Sequence, residues 1–208
     1  MDDTHHVVEI RWFEQSHFSF ATRSGTTIHV DPFLSRVVKP ENHIFAEPLV
    51  DPADVTADYV FLTHDHRDHT DPHTLVPIAR HNSACLFVGS EESCARCRDE
   101  GIEGERLRPV AEGDRFTGSG FSVDVVHAEN TSDSDATTHL GFLFSFDGRI
   151  VYVTGDTRAE VASYRDKLEA VEGLAPDLLI VPINEKYHNP GPTGARELVE
   201  LTEPERIV

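Results

Sequence analysis

The sequence predicts an α/β (α+β) fold made of two halves, each running antiparallel strands into a strand, a loop and a helix. Two observations lead there. Short alternating runs over Val7 to Phe13, Phe18 to Thr22 and Thr26 to Val30, separated by Gln15-Ser16 and Ser24-Gly25, read as an antiparallel meander. The apolar runs Tyr59 to Leu62 and Ile150 to Val153 read as buried strands, and each ends in metal-binding residue types: Thr63-His64 in one, Thr154-Gly155-Asp156 in the other. Packed sheet to sheet with helices outside, two such halves bring these strand ends to one rim.

At 208 residues the chain suits one domain or a pair of fused half-domains. The balance of 18 basic against 37 acidic residues gives a formal charge of -19, which repels nucleic acid and anionic lipid. That weakens a nucleic-acid partner without excluding one; the expected partner is a small-molecule substrate, with further copies of the chain as the other candidate. No apolar run is long enough for a membrane span, and Met1-Asp2-Asp3 lacks the basic and apolar parts of a signal peptide, so a cytoplasmic address is expected. Three cysteines cannot make a disulfide framework, which fits a reducing compartment.

In chain order, His17 falls between the first two strands, as an exposed turn residue or a substrate contact, with the turn favoured. Asp31 ends a strand, where it can orient a metal-binding His from behind or only hold the turn. Leu34 to Thr56 carries Pro40, Pro48 and Pro52 with little periodicity and reads as a lid or pocket wall. A helix follows from Pro72 to about Arg80 with Asp71 as its cap, then a strand from Cys85 to Val88. The next helix, Glu91 to Glu100, has Ser90 as cap and Gly101 as stop. It carries Cys94 and Cys97, a pair with only Cys85 near it and so too few ligands for structural zinc.

Strands are expected over Arg106 to Pro109, Asp114 to Phe116, Phe121 to Val126 and Leu140 to Phe144, with a hairpin at Asp147-Gly148. Thr157-Arg158-Ala159-Glu160 has the form of a capping box, and Val161, Tyr164, Leu168 and Val171 form a stripe that predicts a helix up to Gly173. Leu178 to Pro182 is a strand, Asn184 to His188 a loop and Gly194 to about Leu201 a helix, after which Arg206-Ile207-Val208 begins another strand.

The chemistry concentrates in His64-Asp65-His66-Arg67-Asp68-His69, three imidazoles and two candidate metal-binding carboxylates within six residues after a strand. Side chains two apart in extended backbone point the same way, so His64 and His66 can grip one metal while Asp68 and His69 face a second. His127 ends a strand and is the expected third imidazole of the first ion; His139 is its rival, better placed to begin the next strand. Asp156 lies just outside the capping box, free to act as a ligand and to bridge two ions. Two divalent ions are expected, zinc first, although mixed nitrogen and oxygen donors suit manganese or iron as well. Asp68 is the expected catalytic residue, holding the attacking water and shuttling its proton. His17, Asn184 and Tyr187 are loop candidates for substrate contact.

The pattern of His64, His66, Asp68 and His69, followed in order by His127 and Gly155-Asp156, resembles the metallo-β-lactamase fold hydrolases. Within them, Ser16-His17-Phe18-Ser19-Phe20, Val30-Asp31-Pro32-Phe33 and Val181-Pro182-Ile183-Asn184 look like the ascorbate-phosphate lactonase-like group. The resemblance implies a four-layer αββα sandwich and a binuclear metallo-hydrolase. One ion would lie at His64, His66 and His127, another at Asp68, His69 and Asp156, with Asp156 bridging. It also implies a metal-activated water acting on a small ester, lactone or phosphorylated compound. The family's last ligand, a His after the strand that follows the final helix, falls beyond Val208; residues 1–208 are thus expected to form a single domain without that strand end and His, for which His188 is a conceivable substitute. The alternatives are a phosphodiesterase or nuclease on the same fold, and a metal-binding module without catalysis.

Overall fold

The structure, a computed structural model, describes residues 8–208 apart from Lys39, Asp133, Asp135, Lys186 and Tyr187. It divides into two compact units, Met1–Pro109 and Val110–Val208. In the first, strands β1 (Val8–Glu14), β2 (His17–Thr22), β3 (Thr27–Val30), β4 (Tyr59–Leu62), β5 (Leu86–Gly89) and β6 (Leu107–Pro109) lie side by side in sequence order. The first three are antiparallel, and from β3 onward the neighbours are parallel. Parallel neighbours need crossovers: α1 (Pro72–His81) supplies the one from β4 to β5 and α2 (Glu91–Asp99) the one from β5 to β6, while residues 31–58 connect β3 to β4.

Both helices begin where the capping chemistry expects. Asp71 accepts a hydrogen bond from the His73 amide, and Ser90 accepts one from the Ser93 amide. Alternation along β4 sends Val60 and Leu62 into a core with Leu75 and Ile78 of α1 and Cys94 and Cys97 of α2. Phe61, on the opposite face, is fully buried too, so the strand is covered on both sides, as expected of a parallel sheet. The cysteine pair is therefore core. Burial pushes the Cys94 thiol up to about 11 and the Cys85 and Cys97 thiols up to about 12, which leaves them protonated at neutral pH.

The proline-bearing segment after β3 is tied down by one buried carboxylate. Glu14, 1% exposed, accepts from Arg36 Nη2 at 2.5 Å, His43 Nδ1 at 2.9 Å and the amides of Ile44 and Phe45. His17 is not an exposed turn residue, because the turn is tighter than the sequence suggests. Glu14 and Gln15 take positive φ, and β2 starts at His17 itself, which is fully buried and stacked on Phe13.

In the second unit β7 (Arg115–Gly118), β8 (Phe121–His127), β9 (Leu140–Phe146), β10 (Arg149–Val153) and β11 (Leu178–Ile180) form a sheet of order β11-β10-β9-β8-β7. Only β10 and β11 are parallel. Asp147 and Gly148 both have positive φ, the left-handed pair that a two-residue hairpin turn needs. Helix α3 (Pro192–Thr202) buries Ala195, Leu198 and Leu201 against Val161, Tyr164 and Leu168. The start of a further strand after α3 is present as a parallel bridge between Leu179 and Ile207.

The predicted helix from Thr157 to Gly173 is not formed. Two 3-10 turns, Val161–Ser163 and Arg165–Lys167, stand in its place. The first-turn donors are already engaged elsewhere: the Arg158 amide donates to the Glu129 carbonyl and the Ala159 amide to the His188 carbonyl. Thr157 Oγ1 accepts the Glu129 amide instead of capping its own chain. A stripe with steps of three and four residues fits successive 3-10 turns about as well as a helix, and all four of its apolar residues are buried.

Candidate metal centre

The parallel pairing of β3 with β4 sets their carboxyl ends side by side, the edge where sheets of this kind place ligands. The Asp31 amide donates to the Phe61 carbonyl at 2.9 Å, and Asp31 then turns at φ +44°. That left-handed conformation is uncommon for a side chain with a Cβ, and Asp is among the residues that tolerate it. It brings the carboxylate across the end of β4. Oδ1 accepts the Thr63 amide at 2.8 Å, and Oδ2 accepts the Thr63 hydroxyl at 2.6 Å and His69 Nδ1 at 2.8 Å.

These bonds assign the imidazole tautomers. A carboxylate only accepts, so His69 carries its proton on Nδ1 and presents its lone pair at Nε2. The Thr63 hydroxyl donates its one hydrogen to Asp31, so its oxygen accepts from His64 Nδ1 at 3.0 Å and leaves the His64 lone pair at Nε2. That nitrogen lies 2.9 Å from His66 Nδ1. Ring nitrogens of His64 and His66, and of His64 and His69, lie within 4.8 Å of one another. His64 and His69 are buried, while His66 and Asp68 are half-buried.

The loop itself is held from two sides. Thr70 Oγ1 donates to the His64 carbonyl at 2.8 Å, and the amides of His69 and Thr70 both donate to the His66 carbonyl. From α2, Arg96 grips Asp65: Nε reaches Oδ1 at 2.5 Å, and Nη2 reaches Oδ2 at 2.7 Å and the main-chain carbonyl at 3.2 Å. Reading along the chain gave Arg96 no role, because its partner lies 31 positions away.

In the second unit Asp156 follows β10 directly. Asn189 Nδ2 donates to Asp156 Oδ2 at 3.0 Å, an orienting contact absent from the sequence expectations. The segment after Asp156 is pressed against α3 closely enough that a Cβ on Gly194 would lie 2.6 Å from the Ala159 carbonyl. His139 Nδ1 donates to the Asp156 carbonyl at 2.9 Å, which leaves its lone pair at Nε2, and the ring is buried.

His127 is placed differently. Nδ1 meets Glu112 at 2.8 Å and Nε2 meets Glu129 at 2.9 Å, so both ring nitrogens face carboxylates. Glu129 is also bound by Lys167 at 2.6 Å. Of the two imidazoles weighed from the sequence, His139 is the one beside Asp156. Among the remaining candidates Asn184 is exposed after β11, and Tyr187 lies outside the described residues. His188 is exposed and lines a cleft with Thr131, Ser132 and Arg158.

A six-stranded sheet of mixed direction with a His-rich loop after β4, and a five-stranded sheet with an Asp after β10, define a metallo-β-lactamase fold. Residues 26–208 match the family model described as a beta-lactamase superfamily domain, and the chain belongs to that superfamily. A UPF0173 metal-dependent hydrolase of Archaeoglobus fulgidus is 30% identical over 209 residues, which cover 95% of this chain and 80% of the relative. Among solved structures, a protein of Parabacteroides distasonis superposes with a TM-score of 0.72 at 20% identity, covering 96% of this chain and 80% of that one. The metallo-beta-lactamase fold protein YhfI of Bacillus subtilis gives 0.64 at 15% identity, covering 98% and 78%. No helix of the described residues is long and apolar enough to cross a membrane.

Proposed function

We propose that the chain is a metal-dependent hydrolase of small molecules, with one divalent ion held by His64, His66 and His139 and a second by Asp68, His69 and Asp156. The observation that carries this is the pair of tautomers fixed around Asp31 and Thr63. They direct the lone pairs of His64 and His69 away from their anchors and bring His64 Nε2 to 2.9 Å from His66 Nδ1. Converging imidazole nitrogens braced by a carboxylate are the donor set of a borderline divalent ion, zinc before manganese or iron. His139 is preferred to His127 as the third imidazole because its nitrogen groups with those of His64 and His66, whereas both nitrogens of His127 face glutamates.

A divalent ion held by these residues would supply Lewis acidity for activating water and polarising the bond to be broken. The chain's own part is to hold and relay protons. Asp68, half-buried in the loop, accepts the proton of the attacking water and returns it to the leaving group. Asn189 fixes the Asp156 carboxylate, and Asp31 keeps His69 in one tautomer.

The substrate class we propose is a small ester, lactone or phosphorylated compound, as in the lactonase-like group that the stretches around His17, Asp31 and Asn184 resemble. A charge of -19 disfavours nucleic acid, and three buried free thiols suit a cytoplasmic setting. Elemental analysis of the purified chain tests the centre, with two ions expected and one lost in His69→Ala. A chain that binds no divalent ion would overturn the reading. On a panel of esters, lactones and phosphoesters, Asp68→Asn should lower kcat by at least a hundredfold; a wild-type rate would remove Asp68 from the mechanism.

A further inference from the structure

Away from the metal ligands, the first unit carries a cleft of about 430 Å³ between α1, α2 and the metal loop. None of His64, His66, Asp68 or His69 lines it. Its cationic groups are Arg67 from the loop, Arg80 from α1 and Arg96 from α2; Glu100 is its one acidic residue. In a chain with 37 acidic and 18 basic residues, an ordinary surface concavity would be lined mostly by carboxylates. Three guanidinium groups facing one cleft are the reverse of that expectation.

The three are not equivalent. Arg96 is neutralised by its bidentate contact with Asp65. The side chains of Arg67 and Arg80 have neither an ion pair nor a hydrogen bond among the described residues, despite the surrounding excess of acid. His73 and Arg80 sit two turns apart on α1, with Val76 between them on the same face, so the wall offers an apolar centre between polar ends. Guanidinium is the side chain best matched to phosphate, through paired N–H donors. The apolar centre suits the carbon part of the same ligand.

We propose that this cleft is a binding site for a small organic phosphate, distinct from the metal centre. Arg67 and Arg80 hold the phosphoryl oxygens, and the Val76 face of α1 takes the organic group. Arg67 stands between His66 and Asp68 in the chain, so a ligand held there touches the loop that carries the metal ligands without occupying them.

The test is calorimetric titration of the metal-loaded chain with phenyl phosphate and, separately, inorganic phosphate, at low ionic strength. Phenyl phosphate should bind at least threefold more tightly than inorganic phosphate. Arg80→Ala, on an exposed helix position that folding does not need, should weaken it about tenfold, and Arg67→Ala/Arg80→Ala should abolish it with metal content unchanged. Absence of binding to the wild-type chain would overturn the proposal. So would phenyl phosphate binding that survives the double substitution, which would assign it to the metal centre or another surface.

Discussion

Asp31 shows how much one side chain can set. Its two oxygens fix the end of β4 through Thr63 and the tautomer of His69, and through the Thr63 hydroxyl they reach His64. Removing such an outer partner typically costs ten- to a hundredfold in metal affinity. Asp31→Ala should therefore weaken metal binding by about that factor, read by competition with a chromogenic chelator, while Asp31→Asn recovers part of it. An unchanged affinity would mean that the Asp31 contact is only structural. The two imidazoles of the second unit give a sharper contrast. His139→Ala should remove one bound ion per chain, whereas His127→Ala should leave metal content intact and disturb only the pairing with Glu112 and Glu129. The opposite pattern of metal content would restore His127 as the ligand. Sequence position could not make this choice, because both residues flank strands, and Glu112 beside His127 and the Asp156 carbonyl beside His139 lie 15 and 17 positions away.

At the scale of elements, what was legible in the sequence was what depends on local chemistry. The bounds of β4, the caps Asp71 and Ser90 and the turn at Asp147-Gly148 follow from neighbours within a few residues. The 157–173 segment did not, because its amides are claimed by Glu129 and His188, far away in sequence. Local propensity is a weak prior where other chain segments supply the hydrogen bonds. The clamp between α2 and the metal loop is of the same long-range kind. Asp65 and Arg96 are partly exposed, at 17% and 29% of their side chains, so screening limits the stability they contribute. Their effect should fall instead on loop order. Arg96→Ala should raise the rate of metal release severalfold in a stopped-flow chelator assay while shifting Tm by no more than a few degrees. If Asp65→Asn has the same effect and the double substitution adds nothing further, the pair acts as a unit; additive effects would separate the two residues.

For the whole molecule, the first unit contains a pH-dependent element that owes nothing to the metal ligands. His17 and His29 are buried side by side, His17 Nε2 lies 2.9 Å from His29 Nδ1, and the second nitrogen of His29 faces the Thr56 carbonyl. His17 Nδ1 is buried with no partner, so a proton placed there has no acceptor. Burial lowers the His29 pKa from 6.5 to about 4, and burial together with the neighbouring His29 lowers His17 as well. The unfolded chain therefore binds these protons near 6.5, and the folded chain only at markedly lower pH. Stability from the pair is complete above about pH 6.5 and is lost as pH falls toward 4, because the unfolded state takes up more protons across that window. From pH 7 to 5 the loss is about 2 kcal/mol for His29, and His17 adds to it in the same direction. The acidic excess works the other way, since protonation relieves self-repulsion, but carboxylates titrate mainly near 4, below most of this window. Thermal melts of the chelator-treated chain, which removes any contribution from metal release, should show Tm falling from pH 7 to 5. His29→Gln should lower Tm at pH 7 and flatten its dependence on pH. A wild-type melt that stays level between pH 7 and 5 would mean that the pair is hydrated rather than sealed in the sheet.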